Sequence, residues 1–247
     1  MTSSPQAITV DPELQRDLVD ANRILFNEGV VDAFGHVSVR HDQRPDRFLL
    51  ARNMAPALVT TDDLIEFDLD GGAQHGDTRN VYLERFIHGE IYRVRPDVMA
   101  VVHSHSRSVV PFGVVKGVPL RPVCHMCGFL GQGPRVFEIR ETAGDASDLL
   151  IRDSALGAAL ARSLGTDNAV LMRGHGSTVV ASTLKLVVYR AIYTEINARL
   201  LATALQLGSV EYLTRAEAET TMNVIERQVD RPWQLWKAAA RAALGFH

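Results

Sequence analysis

The sequence is poor in cysteine and has no long apolar run. Two cysteines in 247 residues, Cys124 and Cys127, exclude a disulfide scaffold, and the sequence predicts two ordinary buried or half-buried thiols. No apolar run approaches the roughly 18 residues of a membrane span. Residues 1–10 lack the basic start and apolar core of a signal peptide. These absences predict a cytoplasmic protein that has no membrane as partner.

Charge of one sign and common ligand-binding motifs are also scarce. The formal net charge is −3 and the sequence pI is about 6.3, so nucleic acid is not expected as a partner. Neither common phosphate-binding glycine pattern occurs, and the G-x-S-x-G nucleophile motif is missing. The chain shows no repeat, no low-complexity stretch and no long linker. We therefore expect one domain over residues 1–247, with a loose tail at 1–10 and helices over 211–247.

Helix and strand signals mix along the chain without regular βαβ alternation. Asp11 and Pro12 have the pattern of an N-cap followed by a first-turn proline, and Gly29 fits a C-terminal stop. This mixture predicts an α/β fold in which helices cover both faces of a sheet, rather than a barrel or a Rossmann fold. The predicted helices cover residues 12–28, 80–94, 153–164, 184–207, 215–229 and 233–244, and the predicted strands residues 36–40, 48–50, 64–69, 99–104, 169–172 and 178–181.

Three histidines have spacings that suit metal ligation. His103 and His105 are two residues apart at the end of a predicted strand, so they project from one face about 6–7 Å apart and can chelate one ion. His175 stands between two glycines in a turn, where close backbone approach can deliver a third ligand. Each also has a plainer interpretation when taken alone. The H-x-H pair fits two histidines hydrogen-bonded to water, and His175 fits an exposed turn residue.

A carboxylate accompanies the histidines. Glu84 and His88 are four residues apart on a predicted helix, hence on one face, and this face continues to Ile91 and Tyr92. A buried carboxylate beside a divalent ion can serve as a fourth ligand or as a proton carrier. The alternative for Glu84 is an ordinary surface glutamate. His125 is predicted to be either a pocket residue or a core histidine.

The chain carries an ordered set of segments: Gly35–Ser38, Asp63–Gly71, Glu84 with His88 and Tyr92, Arg95–Asp97, Val101–His105 and Arg173–Gly176. Taken together, this set resembles the class II aldolase/adducin family over roughly residues 14–210. The resemblance implies a three-layer α/β/α sandwich with a central, largely antiparallel sheet. It also implies a homotetramer with active sites near subunit interfaces. His103, His105 and His175 would be the metal ligands, with Glu84 as the acid/base residue or fourth ligand.

Departures from the family pattern point to the substrate. Sugar-phosphate aldolases of the family usually have asparagine where this chain has His36, two serines at positions 82–83, and Ser-Gly where it has Arg52 and Asn53. Those small groups form a phosphate cradle, so the resemblance implies an unphosphorylated substrate. Arg52 offers a bidentate fork for a carboxylate, and His36 and Asn53 add further donors.

The variant pattern is similar to a branch of the family that contains decarboxylases of hydroxylated aromatic dicarboxylates. That branch includes decarboxylases of 3-hydroxy-2-methylpyridine-4,5-dicarboxylate in vitamin B6 degradation. It implies a divalent metal ion, with Mn²⁺ expected and Zn²⁺, Co²⁺ or Fe²⁺ as alternatives. The carboxylate ortho to the hydroxyl would leave as CO₂. Competing readings are a dihydroxyphthalate decarboxylase, an aldolase or epimerase on an unphosphorylated substrate, an iron-dependent oxygenase, and a non-catalytic interaction module like the adducin head.

Overall fold

A computed structural model describes residues 10–245, and this part of the chain contains one seven-stranded sheet. The strand order is β3-β2-β1-β4-β7-β6-β5, and every neighbouring pair is antiparallel except β5 and β6, which are parallel. The predicted largely antiparallel sheet is confirmed. The strands are β1 His36–Arg40, β2 Arg47–Ala51, β3 Leu64–Asp68, β4 Ala100–Ser104, β5 Arg135–Phe137, β6 Ala169–Met172 and β7 Gly176–Ala181.

Helices cover both faces of this sheet. The helices are α1 Pro12–Asn27, α2 Arg85–Val94, α3 Val110–Val114, α4 Arg140–Ala143, α5 Ser154–Leu164, α6 Leu184–Leu207, α7 Arg215–Ile225 and α8 Asp230–Leu244. Helices α1, α6 and α8 pack together on one face, and α2 and α5 pack on the other. Strands β1, β4, β6 and β7 are buried along their whole length because both faces are covered. The predicted three-layer α/β/α sandwich is confirmed.

Local sequence signals explain the ends of the main helices. The Asp11 side chain accepts a hydrogen bond from the Glu13 N–H and caps α1, as predicted. Thr183 caps the 24-residue helix α6 in the same way, through the Leu186 N–H. None of the helices within residues 10–245 combines the length and the hydropathy that crossing a bilayer requires.

Some predicted boundaries were wrong. The helix predicted from residue 80 begins only at Arg85, because 81–84 form a loop and turn. The helix predicted over 215–229 ends at Ile225, where a short 3-10 turn leads into α8. Strand β5 and the short helices α3 and α4 were not predicted. Of the predicted tail, residues 1–9 lie outside the described residues, and Val10 is buried.

Candidate metal centre and substrate site

His103 lies in β4, at the centre of the sheet, between residues of the two neighbouring strands. In the register, His36 of β1 and Thr178 of β7 lie on either side of His103 in β4. Residues directly opposite one another in antiparallel strands share a face. This face lies under α2, because Ser38 of β1 hydrogen-bonds to Tyr92 of that helix.

The turn between β6 and β7 delivers His175 to the same place. Gly174 has a φ of +66°, a conformation that residues with a side chain rarely adopt. A Cβ atom at Gly176 would overlap the carbonyl oxygen of Ser104 at the end of β4. Glycine at 176 therefore allows the turn to pack directly against the segment that carries His103 and His105.

The four predicted residues Glu84, His103, His105 and His175 converge on one point. The Nε2 atom of His105 lies 3.0 Å from Nε2 of His103 and 2.9 Å from Nε2 of His175. Glu84 Oε2 lies 3.4 Å from Nε2 of both His103 and His175. All four potential ligand atoms lie within 4.8 Å of one another. Glu84 sits in the turn just before α2 rather than on the helix itself, and it is buried.

One loop orients two of these side chains through its main chain. The Leu149 carbonyl is 2.8 Å from Nδ1 of His175, so Nδ1 carries the proton and Nε2 keeps its lone pair for the cluster. The Ile151 N–H donates to Glu84 Oε1 at 3.0 Å, which leaves Oε2 facing the histidines. Leu149 itself has a φ of +69°, an uncommon conformation for a residue with a side chain.

The electrostatics of the cluster favour an anionic carboxylate beside imidazoles. Burial raises the pKa of Glu84, but His103 and His175 outweigh it, so the pKa lies well below the ordinary value. For His175, burial lowers the pKa, and the Glu84 carboxylate more than offsets this, so the pKa is raised. Burial, followed by the neighbouring His103 and His175, lowers the pKa of His105 to about 4. His105 is therefore neutral near pH 7 and offers a lone pair.

This donor set fits a divalent transition-metal ion. Three imidazole nitrogens and one carboxylate oxygen are preferred ligands of such ions, and each binds at about 2.0–2.2 Å. Ligand atoms at these bond lengths lie roughly 3.0–3.5 Å from one another. The four measured distances between ligand atoms, 2.9–3.4 Å, are close to this range. A cavity of about 310 Å³ opens beside His105, and Phe26, Val30, Val31, Asp32 and Arg107 are among its lining residues.

His88, predicted on the same helical face as Glu84, is not part of this cluster. It is fully buried, with Nε2 2.7 Å from Nδ1 of His36 and Nδ1 2.6 Å from the Ser38 hydroxyl. Burial lowers its pKa to about 3, so it is a neutral hydrogen-bonding residue. His36 is buried too, with its ring centroid 5.1 Å from that of His103 and 4.7 Å from that of Tyr82. His88 thus holds the ring of His36 beside the cluster.

The other predicted substrate residues lie in the loop that follows β2. Arg52 and Asn53 directly follow β2, the strand that pairs with β1. Arg52 Nε is 2.7 Å from Oδ1 of Asp63, and 40% of the Arg52 side chain is exposed. Asn53 is exposed, and its backbone N–H bonds to the Asn80 carbonyl. Asp63 therefore already occupies one edge of the Arg52 guanidinium, and the grouping of Arg52 with His36 stays a prediction.

The sequence did not reveal several residues that shape the site. The contacts of Leu149 and Ile151 are made by backbone atoms, which leave no side-chain pattern. Glu195 of α6 is buried and accepts hydrogen bonds from the hydroxyls of Ser106 and Ser108, so it fixes the loop after His105. The signal available in the sequence was an acidic residue, Glu195, within a largely apolar helix. His125 is exposed, so the core alternative for it was wrong, and the pocket alternative stays a prediction.

Comparisons with known proteins agree with this architecture. Residues 16–202 match the family described as Class II Aldolase and Adducin N-terminal domain. The chain is 38% identical over 244 residues to the decarboxylase tropJ of Talaromyces stipitatus. The matched region covers 90% of this chain and 91% of that protein. It is 32% identical over 186 residues to a 3,4-dihydroxyphthalate decarboxylase of Arthrobacter keyseri, covering 70% of this chain and 71% of that protein.

The solved structures agree as well. L-fuculose 1-phosphate aldolase from Glaciozyma antarctica matches with a TM-score of 0.75 and 27% identity, over 99% of this chain and 96% of that one. An aldolase II superfamily protein from Pseudomonas syringae shares the fold, with a TM-score of 0.77 at 19% identity over 96% of each chain. The resemblance found in the sequence motifs is confirmed, and the chain belongs to the class II aldolase/adducin family.

Proposed function

We propose that the protein is a divalent-metal-dependent carboxy-lyase that removes one carboxylate, as CO₂, from a hydroxylated aromatic or pyridine dicarboxylate. The convergence of Glu84 with His103, His105 and His175 beside an open cavity carries the proposal. Relatives that share 38% and 32% identity with the chain are named as decarboxylases, and one name specifies a dihydroxyphthalate. This similarity favours decarboxylation over the aldol cleavage named for the structural relative.

The cluster residues divide between holding the ion and moving a proton. His103, His105 and His175 would hold the ion through their Nε2 atoms, and Mn²⁺ is the ion we propose. When bound, such an ion acts as a Lewis acid that stabilises the negative charge left as CO₂ departs. Glu84, which is anionic in the cluster, would first take up a proton from the substrate hydroxyl and then pass it to the ring carbon that loses its carboxylate. Oε2 would be the proton-carrying atom, because Oε1 accepts from the Ile151 N–H.

The substrate side would be formed by His36, Arg52 and Asn53. In our proposal they bind the carboxylate that is retained, chiefly through the terminal N–H groups of Arg52, because Asp63 occupies Nε. The proposed substrate is 3-hydroxy-2-methylpyridine-4,5-dicarboxylate. A phosphorylated sugar is disfavoured, because Tyr82 stands where the sugar-phosphate aldolases have a serine. The Tyr82 ring is buried against His36, and its hydroxyl donates to the Met54 carbonyl.

We further propose that the protein works as a homotetramer with its sites near subunit interfaces. An apolar groove of about 550 Å³ lies between α3 and α6, and its lining includes Pro111, Phe112, Val115 and Leu205. Val115 and Leu205 are 51% and 40% exposed in the single chain. Contiguous exposed apolar surface of this kind is typical of an interaction site. Light scattering coupled to gel filtration should give the mass of four chains, and a monomer at assay concentration would contradict the proposal.

The test of activity is a decarboxylation screen. Metal-stripped protein is reloaded with Mn²⁺ and offered the pyridine dicarboxylate, 3,4-dihydroxyphthalate or L-fuculose 1-phosphate. Release of CO₂, consumption of O₂ and formation of aldehyde are followed in parallel. We expect Mn²⁺-dependent CO₂ release from a dicarboxylate without O₂ uptake, and no release by a His105→Ala variant. Aldehyde from the sugar phosphate, or obligatory O₂ uptake, would instead identify an aldolase or an oxygenase.

A further inference from the structure

Cys124 and Cys127 lie together where the chain enters the short 3-10 helix His125–Leu130. Their Sγ atoms are 3.3 Å apart, and the Cys127 N–H donates to the Cys124 carbonyl at 3.0 Å. A four-residue turn closed in this way keeps its end Cα atoms within about 7 Å, and disulfides span about 4.4–6.8 Å. Bonded sulfurs are about 2.05 Å apart, so the two atoms need to approach by little more than 1 Å. The backbone already presents the two thiols to each other.

The two thiols differ in access and in proton affinity. Cys124 is half-buried, whereas Cys127 is fully buried and its Sγ lies 3.4 Å from the Tyr193 carbonyl. A hydrogen bond from Cys127 lowers the pKa of the Cys124 thiol, and the Met126 N–H and the nearby His125 lower it further. Burial raises this pKa but is outweighed, so the pKa falls to about 6. The contact with Cys124 and burial raise the pKa of Cys127. Cys124 is therefore the accessible nucleophile, and Cys127 is a protected partner behind it.

The pair lies outside the metal centre. The Asn168 side chain donates to the Phe129 carbonyl at 2.9 Å, which ties this 3-10 helix to the start of β6. His175 follows the other end of β6, and four strand residues span roughly 13 Å. The Tyr189 hydroxyl of α6 donates to the Met126 carbonyl at 2.8 Å. Neither thiol therefore belongs to the metal cluster of its own chain.

We propose that Cys124 and Cys127 form a reactive dithiol site that takes low-molecular-weight disulfides and trivalent arsenicals. The Cys124 thiolate attacks one sulfur of the disulfide, a mixed disulfide forms, and the first small thiolate leaves. Cys127 loses its proton and attacks the Cys124 sulfur, so the 124–127 bond forms and the second small thiolate leaves. The protein is oxidised by two electrons, the small disulfide is reduced to two thiols, and those thiols take up the two protons.

The test uses 5,5′-dithiobis(2-nitrobenzoate) on the reduced, folded full chain. The wild type should release two equivalents of nitrothiobenzoate and retain none, and mass spectrometry should show a chain two hydrogens lighter with a 124–127 crosslink. A Cys127→Ser variant should release one equivalent and retain one as a stable mixed disulfide. A Cys124→Ser variant should react slower than wild type by about tenfold or more, because its remaining thiol is buried.

Further measurements keep the outcome independent of any one variant. Phenylarsine oxide should bind the wild type one to one, because its arsenic bonds to both sulfurs while its oxygen leaves as water with the two thiol protons. This binding should block the release, and removing metal should not change the stoichiometry. The Cys124→Ser/Cys127→Ser double variant is the blank, and circular dichroism checks that each variant is folded. Retention of nitrothiobenzoate by the wild type would overturn the proposal. So would release that occurs only after unfolding, or equal reactivity of the two single variants.

Discussion

Replacing Glu84 with glutamine separates proton transfer from metal binding. The substitution preserves size and shape, and the amide oxygen can still accept the Ile151 N–H that Glu84 Oε1 accepts at 3.0 Å. The amide nitrogen then replaces Oε2, which lies 3.4 Å from Nε2 of His103 and of His175. An amide has no negative charge and cannot take up and return a proton at neutral pH. The change therefore removes the acid/base group and leaves three imidazoles in place.

The two effects should differ in size. General acid–base catalysis contributes about 10²–10⁴ in rate, which is roughly 2.7–5.5 kcal/mol of transition-state stabilisation. Loss of a group that only supports the ligands typically costs about 10–100-fold in metal affinity. We expect Glu84→Gln to lower kcat by about 10³ at saturating Mn²⁺ and to weaken Mn²⁺ binding by about tenfold.

The assay combines kcat at saturating Mn²⁺ with calorimetric titration of Mn²⁺ into metal-free protein. Glu90→Gln is the matched control, because Glu90 is a buried glutamate of α2 that pairs with Arg93 and makes no contact with the cluster. It should leave kcat and metal affinity unchanged. Loss of metal binding in parallel with rate would show that Glu84 is a primary ligand. An unchanged kcat would refute its acid/base role.

Substitutions at three further positions test other parts of the site. His105→Ala should abolish Mn²⁺ binding and CO₂ release. The thermal unfolding of the metal-free protein should change little, since His105 is half-exposed. Full metal content in this variant would remove His105 from the site. Arg52→Ala should lower kcat/KM for a dicarboxylate by about one to two powers of ten, from a loss of roughly 1.5–3 kcal/mol, and hardly affect a monocarboxylate. Arg52→Lys should recover little of this, and equal discrimination by wild type and Arg52→Ala would exclude Arg52 as the anchor. Gly176→Ala should destabilise the protein by roughly 1–3 kcal/mol and weaken Mn²⁺ binding, because the new Cβ overlaps the Ser104 carbonyl. A variant with unchanged unfolding and unchanged metal affinity would contradict this explanation.

The central strands and long helices could be predicted because their signals are local. The run that ends at His103 is apolar and strand-length, and α6 carries its own cap at Thr183. Strand β5 was missed for a physical reason. Its three residues, of which Arg135 and Val136 are exposed, form a strand only because β6 pairs with them in parallel. No local pattern encodes such a pairing.

The metal-binding histidines could be predicted because their spacing is also a local signal. The backbone groups that orient them could not be predicted. The H-x-H spacing follows from the two-residue period of a strand, so His103 and His105 could be paired from sequence. The groups that orient the cluster are the Leu149 carbonyl and the Ile151 N–H, which every residue type except proline provides. The ion pair of Arg52 with Asp63 joins the ends of two neighbouring strands. It depends on register that the sequence alone did not fix.

Under the proposed function, the cluster and its surroundings have separate roles. A sugar-phosphate aldolase shares this fold at a TM-score of 0.75, while relatives named as decarboxylases share more of the sequence. The positions that differ from the aldolases do not belong to the cluster: Tyr82 fills the space beside His36, and Arg52 adds a cation. Both reactions break a carbon–carbon bond and leave negative charge that a Lewis acid can stabilise. In our proposal, a change of pocket residues around the Glu-and-histidine cluster exchanges a phosphorylated sugar for a flat dicarboxylate.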